Sequence, residues 1–271
     1  MTGPCHAGPE FAPLPAGTFL MGTDSQEGFP ADGEGPARRV RLDAFSIATT
    51  PVTNAQFNEF VRATGYVTQA EQAGTSFVFY LQLPEDARSQ VRSYPQGMPW
   101  WVEVRDACWQ RPHGPGTSIR DRMDHPVVHV SWHDAREYCK WSAARLPREA
   151  EWEYAARGGL EGKRYAWGDE MPAEPPCNIW RGEFPNRPAD GWRPDTLPVR
   201  SFAPNGFGLY QVAGNVWEWC ADEFDDAPGR RAMRGGSFLC HDSYCNRYRV
   251  AARSSNTPQS SASNIGFRLA A

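Results

Sequence analysis

The run MRGGSFLCHDSYCNRYRVAARSSNTPQSSASNIGFRLAA, residues 233–271, is the most informative part of this chain, and CHDSYC, residues 240–245, lies within it. Its two cysteines would be roughly 17 Å apart in one extended strand and about 7.5 Å apart in one straight helix. A disulfide needs Cα atoms roughly 4.4–6.8 Å apart, so the pair meets only if the residues between form a turn. Asp242 and Ser243 favour a turn, because their side chains bond nearby backbone donors. Three interpretations of Cys240 and Cys245 stay open: a disulfide, a zinc clip, or a reactive pair that binds a soft metal.

The composition predicts irregular backbone held in place by aromatic side chains. The chain has 271 residues, among them 25 glycines, 24 prolines and 11 tryptophans. This length allows a substantial core, and so much Gly and Pro predicts many turns. The formal net charge is −4. No basic stripe indicates nucleic acid, and no apolar run reaches the roughly 18 residues of a membrane span. We therefore expect no nucleic-acid partner and no membrane segment.

The cysteines indicate a reducing compartment. They number seven, an odd count, and they are scattered, unlike the framework of a small secreted domain. The N-terminal residues lack the basic start and apolar core of a secretory signal, and we predict residues 1–11 to be a flexible arm. A zinc clip needs four ligands, and no second CxxC or nearby histidine pair completes one. The remaining cysteines are interpreted as inert or surface thiols: Cys5, Cys108, Cys139, Cys177 and Cys220.

Local patterns predict short elements within one irregular α+β domain over residues 12–271. Strands or extended segments are expected over 15–23 and 38–53. Thr53 is placed to cap a helix over 54–63, which Gly65 would end. Residues 66–125 have little periodicity, and so long a connection usually serves binding. We therefore predict that its tryptophans form part of a substrate groove: Trp100, Trp101 and Trp109.

Residues 125–159 have the clearest regular pattern. VVHV, residues 127–130, is predicted as a strand, Ser131 or Asp134 as the cap of a helix, and Pro147 as the start of a second helix. His125, His129 and His133 recur at four-residue spacing, which invites a metal interpretation. Because Pro126 and the predicted strand interrupt any helix there, we interpret these histidines as structural.

With these segments in view, the chain resembles the formylglycine-generating enzymes, also called sulfatase-modifying factors. The matching runs include GTFLMG, DHPVVHVSWHDA, RLPREAEWEYAARGG, PNGFGLYQVAGNVWEW and, most specifically, RGGSFLCHDSYCNRYR with SSASNIGFR. The resemblance covers about residues 12–271. It implies a single α+β domain of low regular secondary structure with the C-type-lectin-like, sulfatase-modifying-factor fold. Relatives of this fold include binding modules, which generally lack the two cysteines, and iron-dependent sulfoxide synthases.

The resemblance implies an activity and a site. These enzymes use dioxygen to oxidise the cysteine of a CxPxR motif in an unfolded or nascent sulfatase polypeptide to Cα-formylglycine. Cys240 and Cys245 would bind Cu(I), and thiolates are the soft ligands that this ion prefers. Ser237 matches the family's active-site serine, and Trp217 and Asn264 lie in matching motifs that shape the pocket. Because His241 lies beside the first thiol without evident ligand geometry, it is not assigned as a ligand.

Two calcium sites are implied as well. The first would use the side chains of Asn178 and Asp190 with the carbonyls of Ile179 and Trp192, and oxygen donors from an irregular loop suit Ca²⁺. The second would use the Glu218 side chain with two carbonyls, those of Gly214 and Val216. Here the sequence departs from the family pattern, because Gln211 replaces the usual Asn or Asp.

The resemblance also bears on compartment and partners. Secreted relatives place disulfide-forming cysteines where this chain has Val250 and Leu269, which indicates a cytoplasmic protein. A monomer is expected. Two alternatives remain at this stage: a non-catalytic peptide- or ligand-binding module on the same fold, and an oxidase of another thiol substrate.

Overall fold

The fold consists of short strands and helices joined by long, ordered connections. The computed structural model describes residues 8–224 and 229–271. Its strands are β1 (Phe11–Leu14), β2 (Gly17–Met21), β3 (Arg38–Leu42), β4 (Phe45–Ala48), β5 (Thr75–Phe79), β6 (Val91–Ser93), β7 (Trp101–Arg105), β8 (Gly182–Glu183), β9 (Arg187–Pro188), β10 (Trp217–Glu223), β11 (Arg231–Arg234), β12 (Arg253–Asn256) and β13 (Ile265–Gly266). Its helices are α1 (Asn54–Thr64), α2 (Gln69–Ala73), α3 (Trp132–Trp141) and α4 (Glu149–Arg157). The predicted α+β class with little regular structure is confirmed.

The largest sheet supports the C-terminal run. It has four strands in the order β12-β11-β10-β13, and β13 pairs in parallel with β10 whereas the other pairs are antiparallel. A second sheet has the order β5-β7-β6, and three two-stranded sheets pair β1 with β4, β2 with β3 and β8 with β9. The cysteine-bearing segment leaves the end of β11 and returns to the sheet as β12. Its position is therefore fixed at both ends.

Helices α1 and α3 begin at the capping residues that the sequence predicts. Thr53 and Gln56 form a capping box at the start of α1, and Gly65 ends the helix with a φ of 68°. Ser131 is the cap of α3, and Asp134 is the partner that completes its capping box. The second predicted helix, α4, begins at Glu149 and not at Pro147.

Two sequence predictions were wrong, and a third lies partly outside the described residues. Residues 127–130 are not a strand, because His129 adopts a left-handed φ of 58° that interrupts extended backbone. Residues 66–125 are not one loop, since they contain α2 and the whole three-stranded sheet. Residues 1–7 of the predicted arm are outside the described residues, and its last residue, Phe11, already belongs to β1.

The core combines aromatic packing with buried ion pairs. Phe57 lies against Trp109 with ring centres 5.2 Å apart and stacks on Tyr138 at 5.9 Å. Arg268 and Glu218 form a buried ion pair with Nε and Oε2 2.6 Å apart. Among the described residues, no helix has the length and apolar character needed to cross a membrane.

Candidate active site

A tight turn brings the two cysteines of the C-terminal run together. The backbone N–H of Cys245 donates to the His241 carbonyl at 2.7 Å, and the N–H of Tyr244 donates to the same oxygen at 3.0 Å. Within the turn, Ser243 Oγ lies 2.8 Å from His241 Nδ1. The sulfur atoms of Cys240 and Cys245 are 2.8 Å apart, and both residues are buried free thiols. One turn therefore brings into contact the sulfur atoms of two cysteines that are five positions apart in the sequence.

The two thiols differ in their electrostatic surroundings. Burial raises the pKa of the Cys240 thiol well above its ordinary value. The hydrogen bond with Cys240 lowers the pKa of the Cys245 thiol, and the Arg247 guanidinium, whose Nη1 is 3.9 Å from that sulfur, lowers it further. Of the two thiols, Cys245 is therefore the one that ionises more readily, and its hydrogen bond with Cys240 favours that ionised form.

A glycine makes room for the first sulfur. Gly236 has a φ of 74°, a conformation that side chains rarely adopt. A Cβ atom there would lie 2.8 Å from the Arg247 carbonyl oxygen and 3.2 Å from Cys240 Sγ. The next backbone N–H, that of Ser237, is directed at Cys240 Sγ over 3.4 Å. Only glycine leaves space for this close approach.

Arg247 is held from the N-terminal part of the chain. Its Nε and Nη2 donate to the two carboxylate oxygens of Asp32 at 2.5 and 3.0 Å. Glu34 binds Arg249 in the same way, with Oε1 accepting from Nη2 at 2.6 Å. The ring of Phe29 lies 4.0 Å from the Arg247 guanidinium carbon. Residues 29–34 therefore fix the segment that follows Cys245, a contact that the sequence analysis missed because its partners are far apart in the chain.

The structure joins the three other predicted site residues through hydrogen bonds. Asn264 donates from Nδ2 to Ser237 Oγ at 2.9 Å, and its backbone carbonyl accepts a hydrogen bond from the backbone N–H of Trp217 at 2.8 Å. Ser237 Oγ also accepts the N–H of Leu239 at 3.3 Å, so its own hydrogen can be donated to another group. All three predicted residues line the same cavity as the cysteines.

That cavity is an open cleft of about 420 Å³ with the two sulfurs at one side. Its apolar wall includes Phe77, Met98 and Tyr244, each more than a third exposed. Tyr244 stacks on Phe184 with ring centres 4.4 Å apart. The cleft also has a polar wall, and it comprises Arg230, Ser254, Ser255, Asn256 and Ser260. An extended peptide has both apolar and hydrogen-bonding surface available here.

The predicted groove tryptophans divide into two groups. Trp100 and Trp101 line the cleft, whereas Trp109 is completely buried against Phe57 and does not line it. Sequence reasoning missed Phe77 and Tyr244 as wall residues. Tyr244 carried a signal, since it stands between the cysteines, whereas Phe77 lies 163 positions before Cys240 and had none.

The donor set suits a soft metal better than zinc. Across residues 8–224 and 229–271, no group of three or more His, Cys, Asp and Glu side chains could hold a metal ion. Two buried thiols with an open cleft beside them do fit an ion of low coordination number that accepts a further ligand from outside. His241 is oriented toward Asp242 and Ser243 by its Nδ1 contacts of 3.0 and 2.8 Å.

The first predicted calcium set is partly organised for a cation. Asn178 is buried, and its Nδ2 donates to the Asp195 carbonyl at 2.8 Å and to Asn215 Oδ1 at 3.0 Å. These bonds fix the amide and leave its oxygen as the atom available to a cation. Asp190 is exposed, and Trp192 packs against Trp180 with ring centres 5.0 Å apart. Within this set, the Asn178 amide oxygen is therefore the atom that the hydrogen bonds leave free for a cation.

The second calcium set does not fit as arranged. Both Glu218 oxygens are bound to Arg268, and Oε2 also accepts Trp152 Nε1 at 2.6 Å. A carboxylate already neutralised by a buried guanidinium is a poor ligand for a second cation. The Oε1 atom of Gln211 is buried without a hydrogen-bond partner among the described residues. This one amide oxygen does not replace the Glu218 carboxylate, which is bound to Arg268.

The three spaced histidines have separate partners. His125 Nδ1 lies 2.9 Å from Thr196 Oγ1. His129 is fully buried between Ser76 Oγ and the Pro112 carbonyl, both at 2.8 Å, and burial lowers its pKa to about 4. His133 packs against Trp132. These contacts agree with the structural interpretation of all three.

Comparisons with known proteins place this arrangement in context. The model of the sulfatase-modifying factor enzyme 1-like domain matches residues 2–271. The formylglycine-generating enzyme of Streptomyces coelicolor is 54% identical over 275 residues, which cover 95% of this chain and 87% of that protein. The enzyme of the same name from Thermomonospora curvata is 52% identical over 280 residues, covering 95% and 92%. The solved structure of PvdO from Pseudomonas aeruginosa superposes with a TM-score of 0.69 at 26% identity, covering 97% of this chain and 94% of that one. The predicted sulfatase-modifying-factor, C-type-lectin-like fold is confirmed.

Proposed function

The chain belongs to the sulfatase-modifying factor enzyme 1-like family, and on that premise we propose that it converts a sulfatase cysteine to Cα-formylglycine. The substrate is an unfolded or nascent polypeptide in which this cysteine lies in a CxPxR motif, and the oxidant is dioxygen. The observation that carries the proposal is the contact between Cys240 and Cys245, 2.8 Å apart at the side of an open cleft. A relative 54% identical that bears the enzyme's name supports it.

The cleft suits an extended segment better than a folded surface. Its apolar wall offers exposed rings at Phe77 and Tyr244, against which the motif's proline can pack. Its polar wall offers serine hydroxyls and the Asn256 amide to the peptide backbone. The substrate cysteine then enters beside two sulfurs whose surroundings exclude water, since Cys240 is 1% and Cys245 6% exposed.

Copper is proposed as the resident metal, held as Cu(I) by Cys240 and Cys245. When bound, this ion supplies one-electron chemistry with dioxygen and a soft position for a third sulfur. The chain's own residues supply the rest. Arg247 favours the thiolate of Cys245, and Ser237, fixed by Asn264, has a hydroxyl hydrogen that it can donate within the cleft. Trp217 completes that side of the pocket.

The proposed reaction balances only with a reductant. Conversion of the substrate CH₂–SH group to an aldehyde and hydrogen sulfide releases two electrons, whereas reduction of dioxygen to water takes four. The other two electrons must come from outside, and a thiol reductant is the class we propose. The products are the aldehyde, hydrogen sulfide, one water and the disulfide formed from two molecules of the thiol reductant.

Three further properties are part of the proposal. Calcium is proposed at Asn178 with Asp190 and the carbonyls of Ile179 and Trp192, because the Asn178 amide oxygen is free to coordinate. A cytoplasmic location is supported by the six described cysteines, all free thiols, and by Val250 and Leu269 in place of cysteine. The chain is proposed to act as a monomer.

The substrate assignment is tested with three peptides incubated with copper-loaded protein, a thiol reductant and air. One carries CxPxR, one has its proline replaced and one has its arginine replaced, and mass spectrometry detects the aldehyde. The proposal predicts aldehyde chiefly from the intact motif. Equal aldehyde from all three would indicate an oxidase of other thiols. Binding of the intact peptide without any aldehyde would indicate a binding module.

A further inference from the structure

A second cavity, which we call the basic pocket, shares no lining residue with the cleft. It has a volume of about 460 Å³, within the usual range for small-molecule sites. Helix α3, the connection to α4, and strand β11 each contribute cationic side chains to it. These are Arg136, Lys140, Arg145, Arg148 and Arg231, and no Asp or Glu is among the described lining residues.

Local carboxylates neutralise only part of this charge. Lys140 is paired with Glu137 at 2.5 Å, and Arg145 with Glu151 at 2.6 Å. Asp222 lies close enough to Arg148 for that guanidinium to lower the carboxyl pKa, although burial dominates and raises it. Within the part of the chain that the structure describes, Arg136 and Arg231 have no carboxylate within ion-pair distance. Among the described residues, the pocket therefore keeps an excess of positive charge, in a chain whose net charge is −4.

The two guanidinium groups that have no ion-pair partner among residues 8–224 and 229–271 both lie against one ring. The guanidinium carbon of Arg231 lies 4.3 Å from the Trp132 ring centre, and that of Arg136 lies 5.0 Å from it. The two guanidinium carbons are thus no more than about 9.3 Å apart. Trp132 is itself fixed, since its Nε1 donates to the Cys220 carbonyl at 2.9 Å. Both cations are pre-oriented at the wall of the pocket.

This concentration of like charge is unfavourable without a counter-ion. Arg136 and Lys140 are four positions apart on one face of α3, where like charges repel. Planar guanidinium groups match the oxygen geometry of phosphate and bind it through paired hydrogen bonds. Cys139, which lines the pocket, has its pKa raised to about 12 by burial and stays a neutral thiol. The pocket therefore offers binding and no nucleophile.

From these contacts we infer that the basic pocket is a binding site for a small molecule carrying a phosphate or pyrophosphate group, with Arg136 and Arg231 as its principal ligands. The site is independent of the proposed oxidation, because no residue of the basic pocket lines the cleft. Its ligand would be bound through charge-assisted hydrogen bonds. Loss of either guanidinium alone should therefore weaken the binding.

Calorimetric titration with pyrophosphate, at an ionic strength matched with sodium chloride, tests this inference. We expect saturable binding of one pyrophosphate per chain, weakened about tenfold or more in Arg136→Gln and in Arg231→Gln. The matched control is Arg41→Gln, which removes an exposed arginine of β3 and should bind as the unmodified protein does. Arg136 is exposed, so its variant should fold even if the Arg231 variant does not.

Two results would overturn the inference. One is the absence of saturable heat, and the other is equal weakening by Arg41→Gln and Arg136→Gln, which would indicate attraction by overall charge alone. Aldehyde formation should be unchanged in Arg136→Gln. Failure of the peptide assay would leave the pyrophosphate result intact, so the two proposals are tested separately.

Discussion

The Nη1 atom of Arg247 lies 3.9 Å from the Sγ atom of Cys245, while Nε and Nη2 of the same guanidinium bind Asp32. One planar group therefore connects the thiol pair to a carboxylate that lies 215 positions before Arg247 in the chain. Asp32 is largely buried and does not line the cleft. Its effect on the sulfurs is exerted through Arg247, as a positioning residue.

Replacing Asp32 by Asn should reduce the rate of aldehyde formation at low peptide concentration by about tenfold, because Asn cannot accept both charge-assisted hydrogen bonds from Arg247. The control is Glu161→Gln, which removes an exposed ion pair with Arg39 and should leave the rate unchanged. A normal rate in Asp32→Asn would show that Arg247 needs no such support.

Gly236→Ala should abolish most activity, because its Cβ would lie 3.2 Å from Cys240 Sγ and 2.8 Å from a backbone oxygen. Gly162→Ala is the matched control, since Gly162 has a similar φ of 69° but no neighbouring atom within 4 Å. Both variants carry the same backbone strain, of about 1 kcal/mol. Equal loss of activity in the two would attribute the effect to strain and not to the space beside the sulfur.

Glu218→Gln should destabilise the protein by about 3–5 kcal/mol, because it leaves the Arg268 guanidinium buried without its counter-charge. The double variant Glu218→Gln with Arg268→Met removes both charges and should recover part of that loss. Urea denaturation monitored by circular dichroism measures both. A single variant as stable as the unmodified chain would contradict the ion-pair assignment and reopen Glu218 as a cation ligand.

Stability should fall with acid through His129. Burial lowers its folded-state pKa from 6.5 to about 4, so the folded protein favours the neutral ring and the unfolded chain takes up the proton first. The stability present above pH 6.5 is therefore lost as the pH falls toward 4, by about 3 kcal/mol in total.

His129→Asn should flatten this part of the pH profile, since Asn tolerates the left-handed φ of 58° and does not titrate. Denaturant unfolding at about pH 7 and about pH 5 gives the comparison. His133→Asn, on the half-buried face of α3, serves as the control. An unchanged acid slope in His129→Asn would assign the acid sensitivity to other groups.

Local features of the fold were predictable where the signal lay within a few residues. Thr53 as the cap and Gly65 as the stop predicted α1 to within one residue. The sheet of β5, β6 and β7 was missed, because its strands of three to five residues pair across irregular loops and show no periodicity. The strand prediction for residues 127–130 was wrong because of His129. Its side chain contacts Ser76 and the Pro112 carbonyl, and its backbone is in a left-handed conformation.

The residues of the site also divide into those with a local sequence signal and those without one. The turn that joins Cys240 and Cys245 is local, so composition and spacing predicted that they could meet. Asp32 and Phe77 come from distant segments, and only tertiary structure brings them to the site. The ion pair that occupies the Glu218 carboxylate could not be predicted either, because its partner Arg268 lies 50 positions away.

The central claim is that Cys240 and Cys245 together perform the oxidation. The most direct measurement is aldehyde formation on a CxPxR peptide by Cys240→Ser and by Cys245→Ser, each loaded with copper and supplied with a thiol reductant, with Cys177→Ala as the control for loss of a buried thiol outside the cleft. We predict no detectable aldehyde from either serine variant and normal turnover in the control. Aldehyde formation at the unmodified rate by either serine variant would contradict the claim.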